Sequence, residues 1–354
     1  MNTIDYATAR RIYDPTNQHG ILCAFPDHIT VGSAAADASK LPSLDLAQLR
    51  GIAIAGMGGS AIGGDILRGL AAEDVPFPIL VHRGYSLPAC VGANWLVIVM
   101  SYSGGTEESL SAYAAAVQRG CTIVCITSGV EFAGRATHDG HAVIRIPGGL
   151  APRFALGHLF FSLLRCVERL GIVPDMTEAR NEAIAVARAA VARFADPAAP
   201  DNKALWYAEM LHDSLPVLYA GHTMLEPVLL RWRGQIEENA KMLAYGNMLP
   251  EMNHNEIVGW EKNPDLLQRI TVLVLRTPDE HPRVALRFEA TLGLLRPVAG
   301  RIEQITATAA TPLGRVFELV CLGDWISYYL AIGGGIDPFP IDKISSLKNA
   351  LASA

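Results

Sequence analysis

Positive charge is scarce in this chain. Lys and Arg number 29 against 35 Asp and Glu, a formal net charge of −6, and the pI is about 5.9. The basic footprint of a nucleic-acid binder is therefore absent at the level of the whole chain. Charged residues of both signs make up only 18% and hydrophobic ones 50%, with a mean hydropathy of +0.24. Disorder needs the opposite balance. Cysteine is sparse too, and six in 354 residues do not make a disulfide framework. Cys121 and Cys125 fall in a strand-like run whose rise holds them roughly 13 Å apart, too far for a metal knuckle. No run of about 18 consecutive apolar residues exists, so no membrane span is expected. The longest uncharged segment, Gly84 to Thr106, is broken by Pro88, Asn94, Ser101 and Ser103. The opening residues carry Asp5, Arg10, Arg11 and Asp14 without a secretory core, so a cytoplasmic location is expected.

What is present is a rhythm. Gly51–Ala55 reads as a buried strand, Gly56–Ser60 as a turn, and Ala61–Leu70 as a helix. Apolar runs follow at Pro78–His82, Leu96–Met100, Thr122–Thr127 and Ala142–Ile146, separated by helix-length segments. Strands alternating with helices predict a parallel, doubly wound five-stranded sheet. An apolar helix is predicted over Arg153–Leu170, and Asp175 with Glu178 marks the start of an Ala-rich helix running to about Phe194. Asp196–Asp201, with two prolines, is the best linker. Beyond it lie strands at Pro216–Ala220, Ile270–Leu275 and Arg301–Thr306. Helices are predicted through Arg231 and Glu238 to about Tyr245, from Pro282 to Leu295, from Pro312 to Ile332, and around Lys348. The expectation is an α/β protein of two tandem domains, residues 1–195 with a leading helical segment and 196–354 with a closing helix.

Two loops follow predicted strands, where open α/β sheets bind ligands. One is Gly56-Met-Gly58-Gly59-Ser60, the other Ser101-Tyr-Ser103-Gly-Gly-Thr106. Glycines let backbone amides approach a phosphate, hydroxyls add donors, and a helix N-terminus adds a favourable dipole. Neither loop contains Lys or Arg, which suits a phosphate held by neutral donors. Gly56-x-Gly58-x-x-Ala61 also fits the dinucleotide fingerprint, but the next strand ends in His82-Arg83 instead of an acid. Arg83 could serve a 2′-phosphate, so that rival is weakened and not removed. The Ser/Thr loop favours a sugar phosphate.

These two loops resemble the sugar isomerase (SIS) domain superfamily. With Gly148-Gly-Leu-Ala-Pro-Arg153, Arg231-Trp-Arg-Gly-Gln-Ile-Glu-Glu-Asn-Ala-Lys241 and Leu249-Pro-Glu-Met-Asn-His-Asn-Glu256, the chain is similar to the bifunctional phosphoglucose/phosphomannose isomerases, which carry two SIS domains. The resemblance implies an isomerase that interconverts glucose 6-phosphate, often mannose 6-phosphate, and fructose 6-phosphate, without metal or other cofactor, usually as a dimer.

The resemblance also implies roles. Gly58, Gly59, Ser60, Ser101, Ser103 and Thr106 hold the phosphate, Glu238 is the C1/C2 base, and Arg153 stabilises the enediolate. His254, reaching a neighbouring subunit, opens the ring with Lys348. Each residue also has a plain reading. Glu237, Glu238 and Lys241 could be a solvated helix face, with Glu237 one residue from the assignment. His254 could be an idle loop residue, Arg153 a helix-start cation, and Lys348, with Lys343 close by, a solvated terminal lysine. Arg231 and Arg233 could approach phosphate or pair with an acid. Two positions depart from the family pattern, Ile341 where threonine is common and Gly105 where asparagine is common. The alternatives are a non-catalytic sugar-phosphate sensor, which lacks any helix-turn-helix appendage here, and an isomerase of another sugar phosphate. Neither nucleic acid nor membrane is an expected partner.

Overall fold

Short apolar runs bounded by Gly, Pro and Ser become parallel strands in the computed structural model, which describes residues 5–352. Three helices lead: α1 (Tyr6–Tyr13), α2 (Gln18–Cys23) and α3 (Phe25–Asp37). Then come β1 (Gly51–Ala55), α4 (Gly58–Leu70), β2 (Ile79–His82), β3 (Trp95–Ser101), α5 (Glu107–Gln118), β4 (Thr122–Thr127), α6 (Val130–His138), β5 (Ala142–Arg145), α7 (Leu156–Arg169) and α8 (Thr177–Phe194). After the linker follow α9 (Lys203–Leu211), β6 (Leu215–Ala220), α10 (Glu226–Ala240), β7 (Tyr245–Met248), α11 (Pro264–Leu267), β8 (Ile270–Arg276), α12 (Pro282–Leu295), β9 (Arg301–Thr306), α13 (Pro312–Gly333) and α14 (Asp342–Ala352).

There are two sheets, both parallel: five strands in the order β2-β1-β3-β4-β5 and four in the order β7-β6-β8-β9. β1 and β3 are buried along their whole length, which is why they read as unbroken apolar runs without alternation. The α/β class and the five-stranded doubly wound sheet agree with the sequence reading.

Two compact units are present. One is Ala24–Ala185 with Thr311–Gly314; the other takes the chain up to Cys23, Val186–Ala310 and the residues from Arg315 onward. This division differs from a cut at 195/196, and the leading helices show why. Asp14 caps α2, accepting from the amides of Gln18 at 2.6 Å and His19 at 2.9 Å, and also accepts from the Tyr328 hydroxyl at 3.1 Å. Tyr6 packs edge-on to Tyr329, and His19 to Trp325. α1 and α2 therefore belong to the packing around α13. That helix is long and apolar enough to cross a bilayer by composition, but 89% of its apolar window is buried inside the protein and it carries Asp324 at 4% exposure.

Three local differences have physical causes. The helix expected to run to Tyr245 stops at Ala240, because Lys241 takes a left-handed conformation at φ 58°. Tyr245–Met248 is instead an edge strand, invisible in a stretch with Gly246 and Asn247 at its centre. The Arg153–Leu170 helix is split into a 3₁₀ turn over Pro152–Phe154 and α7.

In the Ala24–Ala185 unit, α3 and α7 cross closely enough that a Cβ on Gly32 would lie 2.7 Å from the Gly157 carbonyl oxygen. The rings of His28 and His158 lie together nearby, centroids 4.5 Å apart. Burial, then the neighbouring His28, pushes His158 down to about 4, and burial lowers His28 as well. Neutral histidine is thus favoured in the folded state. The unfolded chain takes up its proton first, near pH 6.5, so stability is fully present above that pH and is lost as the pH falls toward 4. Chemical denaturation at pH 7 and pH 5 should show a loss on the order of 2 kcal/mol from His158 alone, and His158→Gln should flatten it. An unchanged pH slope in that variant would contradict this assignment.

Candidate active site

The five-stranded unit brings three loops together at the C-terminal ends of β1, β3 and β5. β1 and β3 are in register, Ala55 opposite Val99, so the loops that follow them are neighbours. Gly58 opens α4 at φ 47°, and its amide and that of Gly59 precede the first intrahelical bonds, leaving the helix dipole facing outward. Ser60 is buried, and its hydroxyl accepts from the Tyr102 amide at 3.3 Å. That bond ties the first loop to the second.

The second loop is organised by its own hydroxyls. Ser101, at 1% exposure, donates to Thr106 Oγ1 at 3.3 Å and accepts from the Gly104 amide at 3.2 Å. The Gly105 amide donates to Ser103 Oγ at 3.4 Å. Thr106 occupies the N-cap of α5 without spending its hydroxyl on a cap bond. Glu107 and Glu108 fill the first turn, where they offset the dipole. Gly104 is at φ 79°, where a Cβ would lie 2.9 Å from the Gly129 Cα; only glycine fits that backbone contact.

Arg153 enters from the third loop. It is 4% exposed and its guanidinium lies over the Phe154 ring at 4.8 Å. A Cβ on Gly59 would sit 2.6 Å from the Pro152 carbonyl oxygen and 3.3 Å from the Arg153 amide, so the absent side chain at 59 lets the turn bearing Arg153 close on the start of α4. The dinucleotide alternative loses its cation: Arg83 is bonded to the buried Asp65 of α4.

Tyr102 is the residue that sequence reasoning missed. Its amide bonds Ser60. Its carbonyl accepts from the Ser128 amide at 3.1 Å and hydroxyl at 2.5 Å, and its phenol accepts from the Leu150 amide at 3.1 Å. One residue therefore knits the loops after β1, β3, β4 and β5. Its only signal was an aromatic between two predicted phosphate-binding serines.

Glu238 belongs to the other unit. α10 is turned by a buried polar ladder on α13. Arg231 meets Asp324 at 3.0 and 2.7 Å, Gln235 meets the same carboxylate at 3.0 Å, and Asn239 meets Ser327 at 3.0 Å. Arg231 thus pairs with an acid. Burial pushes the Asp324 carboxyl up, while Arg231 opposes that shift. Residues 231, 232, 235, 236, 239 and 240 are all buried, which leaves 233, 234, 237 and 238 half-buried on the other side of the helix. Glu237 is 3.8 Å from Arg233, and burial raises its carboxyl. Both Glu237 and Glu238 line a cleft of about 730 Å³ with Lys241, Leu243, Ile341 and Lys343. The Lys241 Nζ caps the helix end, donating to the carbonyls of Glu238 at 2.5 Å and of Asn239 and Pro338 at 3.3 Å.

Both α14 lysines are exposed, but Lys343 lines the cleft, whereas Lys348 lies about 7.5 Å further along the helix and outside the lining residues. His254 is exposed at the end of a 3₁₀ turn over Glu251–His254. The crevice at the end of β6 is filled: a Cβ on Gly221 would lie 2.4 Å from Val284, and Arg276 pairs with Glu280 and Arg315 with Asp279. Among the described residues, no group of three or more His, Cys, Asp or Glu could hold a metal ion.

Residues 200–351 match the bacterial phospho-glucose isomerase C-terminal SIS domain. A bifunctional phosphoglucose/phosphomannose isomerase of Caldicellulosiruptor bescii is 40% identical over 303 residues, 85% of this chain and 89% of that one. The chain belongs to the bifunctional phosphoglucose/phosphomannose isomerase family. Another relative with that name, from Aquifex aeolicus, is 34% identical over 308 residues, covering 87% of this chain and 92% of its own. The solved structure of a hypothetical protein from Thermus thermophilus superposes with a TM-score of 0.73 at 16% identity, over 98% of this chain and 94% of that one, which speaks to fold alone. Within this isomerase family, two sheets fit two SIS domains.

Gly59→Ala forces the Arg153 turn away from α4. Steady-state kinetics should show kcat/KM for a hexose 6-phosphate lowered about 10- to 100-fold, with Tyr102→Phe milder because it deletes only the acceptor for Leu150. Wild-type kinetics in Gly59→Ala would show that the close approach is incidental. The assignment of ring opening to Lys348 is checked by two variants: it predicts that Lys348→Ala loses kcat about 10-fold or more while Lys343→Ala stays within about twofold, and the reverse result would move the role to Lys343.

Proposed function

We propose that the protein catalyses the reversible aldose–ketose isomerisation of glucose 6-phosphate and mannose 6-phosphate to fructose 6-phosphate. The supporting observation is the set of neutral donors knitted at the strand ends, together with membership of the isomerase family. A phosphate dianion is satisfied by convergent N–H and O–H groups at a helix N-terminus without a paired cation. Gly58, Gly59, Ser60, Ser101, Ser103 and Thr106 are that set in this reading.

The reaction moves a proton between C1 and C2. Glu238 is the base, taking the proton from one carbon and returning it to the other. Arg153 stabilises the enediolate oxygen, since a buried guanidinium meets developing negative charge at low reorganisation cost. His254 with Lys348 opens the ring by moving protons between the ring oxygen and the anomeric hydroxyl. No redox group is needed, because the carbon oxidised and the carbon reduced belong to one molecule. Use of both epimers requires a base that reaches C2 from either configuration. The working unit is a homodimer in the cytoplasm, with His254 contributed across the interface. The exposure of His254 supports a task outside its own unit's core.

Coupled assays with glucose 6-phosphate and mannose 6-phosphate, after chelation, should show turnover of both; no turnover of either removes the reading. Glu238→Gln should lose roughly 100-fold or more in kcat, and near-wild-type rates would move the base to Glu237. Mixing inactive Glu238→Gln and His254→Ala proteins, with subunit exchange, should restore about a quarter of wild-type activity through heterodimers carrying one intact site. No recovery despite verified exchange would place His254 in the same chain's site.

A further inference from the structure

An exposed histidine that must present its ring outward cannot be fixed by its own burial, so the segment carrying it has to be held by other residues. The chain around His254 is held on both sides. Met252 is fully buried, and the Asn253 amide group donates to Thr291 Oγ1 on α12 at 2.8 Å. On the other side is Glu256, whose two carboxylate oxygens are filled from three residues outside its segment. Oε1 accepts from the Tyr219 hydroxyl at the end of β6. Oε2 accepts from the Tyr245 hydroxyl at 3.1 Å and from Asn247 Nδ2 at 2.6 Å, both on β7. The brace closes on itself, because Trp260, later in the same segment, donates its indole N–H to the Tyr219 hydroxyl at 3.2 Å.

We infer that Glu256 is a positioning residue for His254, bracing the 251–261 segment against β6 and β7 so that the histidine is presented in one place. The inference rests on the isomerase reading for what His254 does, but not for the brace itself. Glu256 is poorly suited to be a base, since both of its oxygens are occupied by donors. Burial raises the Tyr219 hydroxyl, and burial with the adjacent Glu256 raises that of Tyr245, so both phenols stay protonated and keep donating at neutral pH. A carboxylate bridging three donors is stronger and more directional than neutral pairs.

The test is a double-mutant cycle on the full-length protein, read in fructose 6-phosphate turnover and in amide hydrogen exchange. Glu256→Gln keeps the size but replaces one acceptor oxygen with a donor facing Asn247 or a tyrosine. It should lower kcat about 10-fold or more, leave KM within about threefold, and speed exchange across 251–261 while β6 keeps its protection. His254→Ala combined with Glu256→Gln should be no slower than His254→Ala alone, because a brace has nothing left to position. Additive losses, unchanged exchange, or a His254→Ala protein with wild-type turnover each overturn the inference. If Glu256→Gln does not fold, Tyr245→Phe removes one half-exposed strut and should give the same pattern at smaller amplitude. A wild-type protein without isomerase activity sinks the functional reading and leaves the exchange measurement to decide whether Glu256 braces the segment.

Discussion

A phosphate gripped without lysine or arginine depends on geometry far more than one gripped by charge. A cation attracts an anion from many positions, whereas hydroxyls and amides stabilise it only where their donors converge. On the proposed reading, the loops after β1, β3 and β5 must therefore be fixed with respect to one another before substrate arrives. Tyr102 does this with its amide, carbonyl and phenol together. The missing side chain at Gly59 lets the Arg153 turn close on the α4 N-terminus. Removing either would change distances and leave the list of donors intact.

The same logic governs α10. Its outward face carries carboxylates because its inward face is committed to Asp324 and Ser327. A buried Arg–Asp pair contributes little net stability once desolvation is counted. Its bidentate geometry, extended by Gln235, instead sets the rotation of the helix. One residue of slip would exchange Glu237 for Glu238, so a polar ladder that permits a single rotation serves function better than an apolar seam that permits several.

Much of this was legible in the sequence because parallel strands buried on both faces are short apolar runs bounded by turn residues. Gly51–Ala55 and Thr122–Thr127 were bounded to the residue for that reason. β7 was not legible: a four-residue edge strand containing Gly246 and Asn247 carries no strand pattern, and its place is set by β6. The leading helices were missed as members of the α13 packing because the Asp14–Tyr328 bond spans most of the chain. Among candidate site residues, those on loops with a glycine and hydroxyl signature stood out. Residues that act through other residues, Tyr102 and Glu256, have no motif, because their meaning lies in what the fold brings to them.

The central claim is that uncharged donors after β1 and β3 hold the 6-phosphate. Calorimetric titration of fructose 6-phosphate into the Glu238→Gln protein, with and without Ser103→Ala, tests it without interference from turnover. Ser103 only accepts within its loop, and a hydrogen bond to a charged group contributes about 1.5–3 kcal/mol, so Ser103→Ala should weaken binding by roughly 10- to 100-fold, while unphosphorylated fructose should bind poorly to both. Equal affinity in the two proteins, or fructose binding as tightly as its phosphate, would contradict the account.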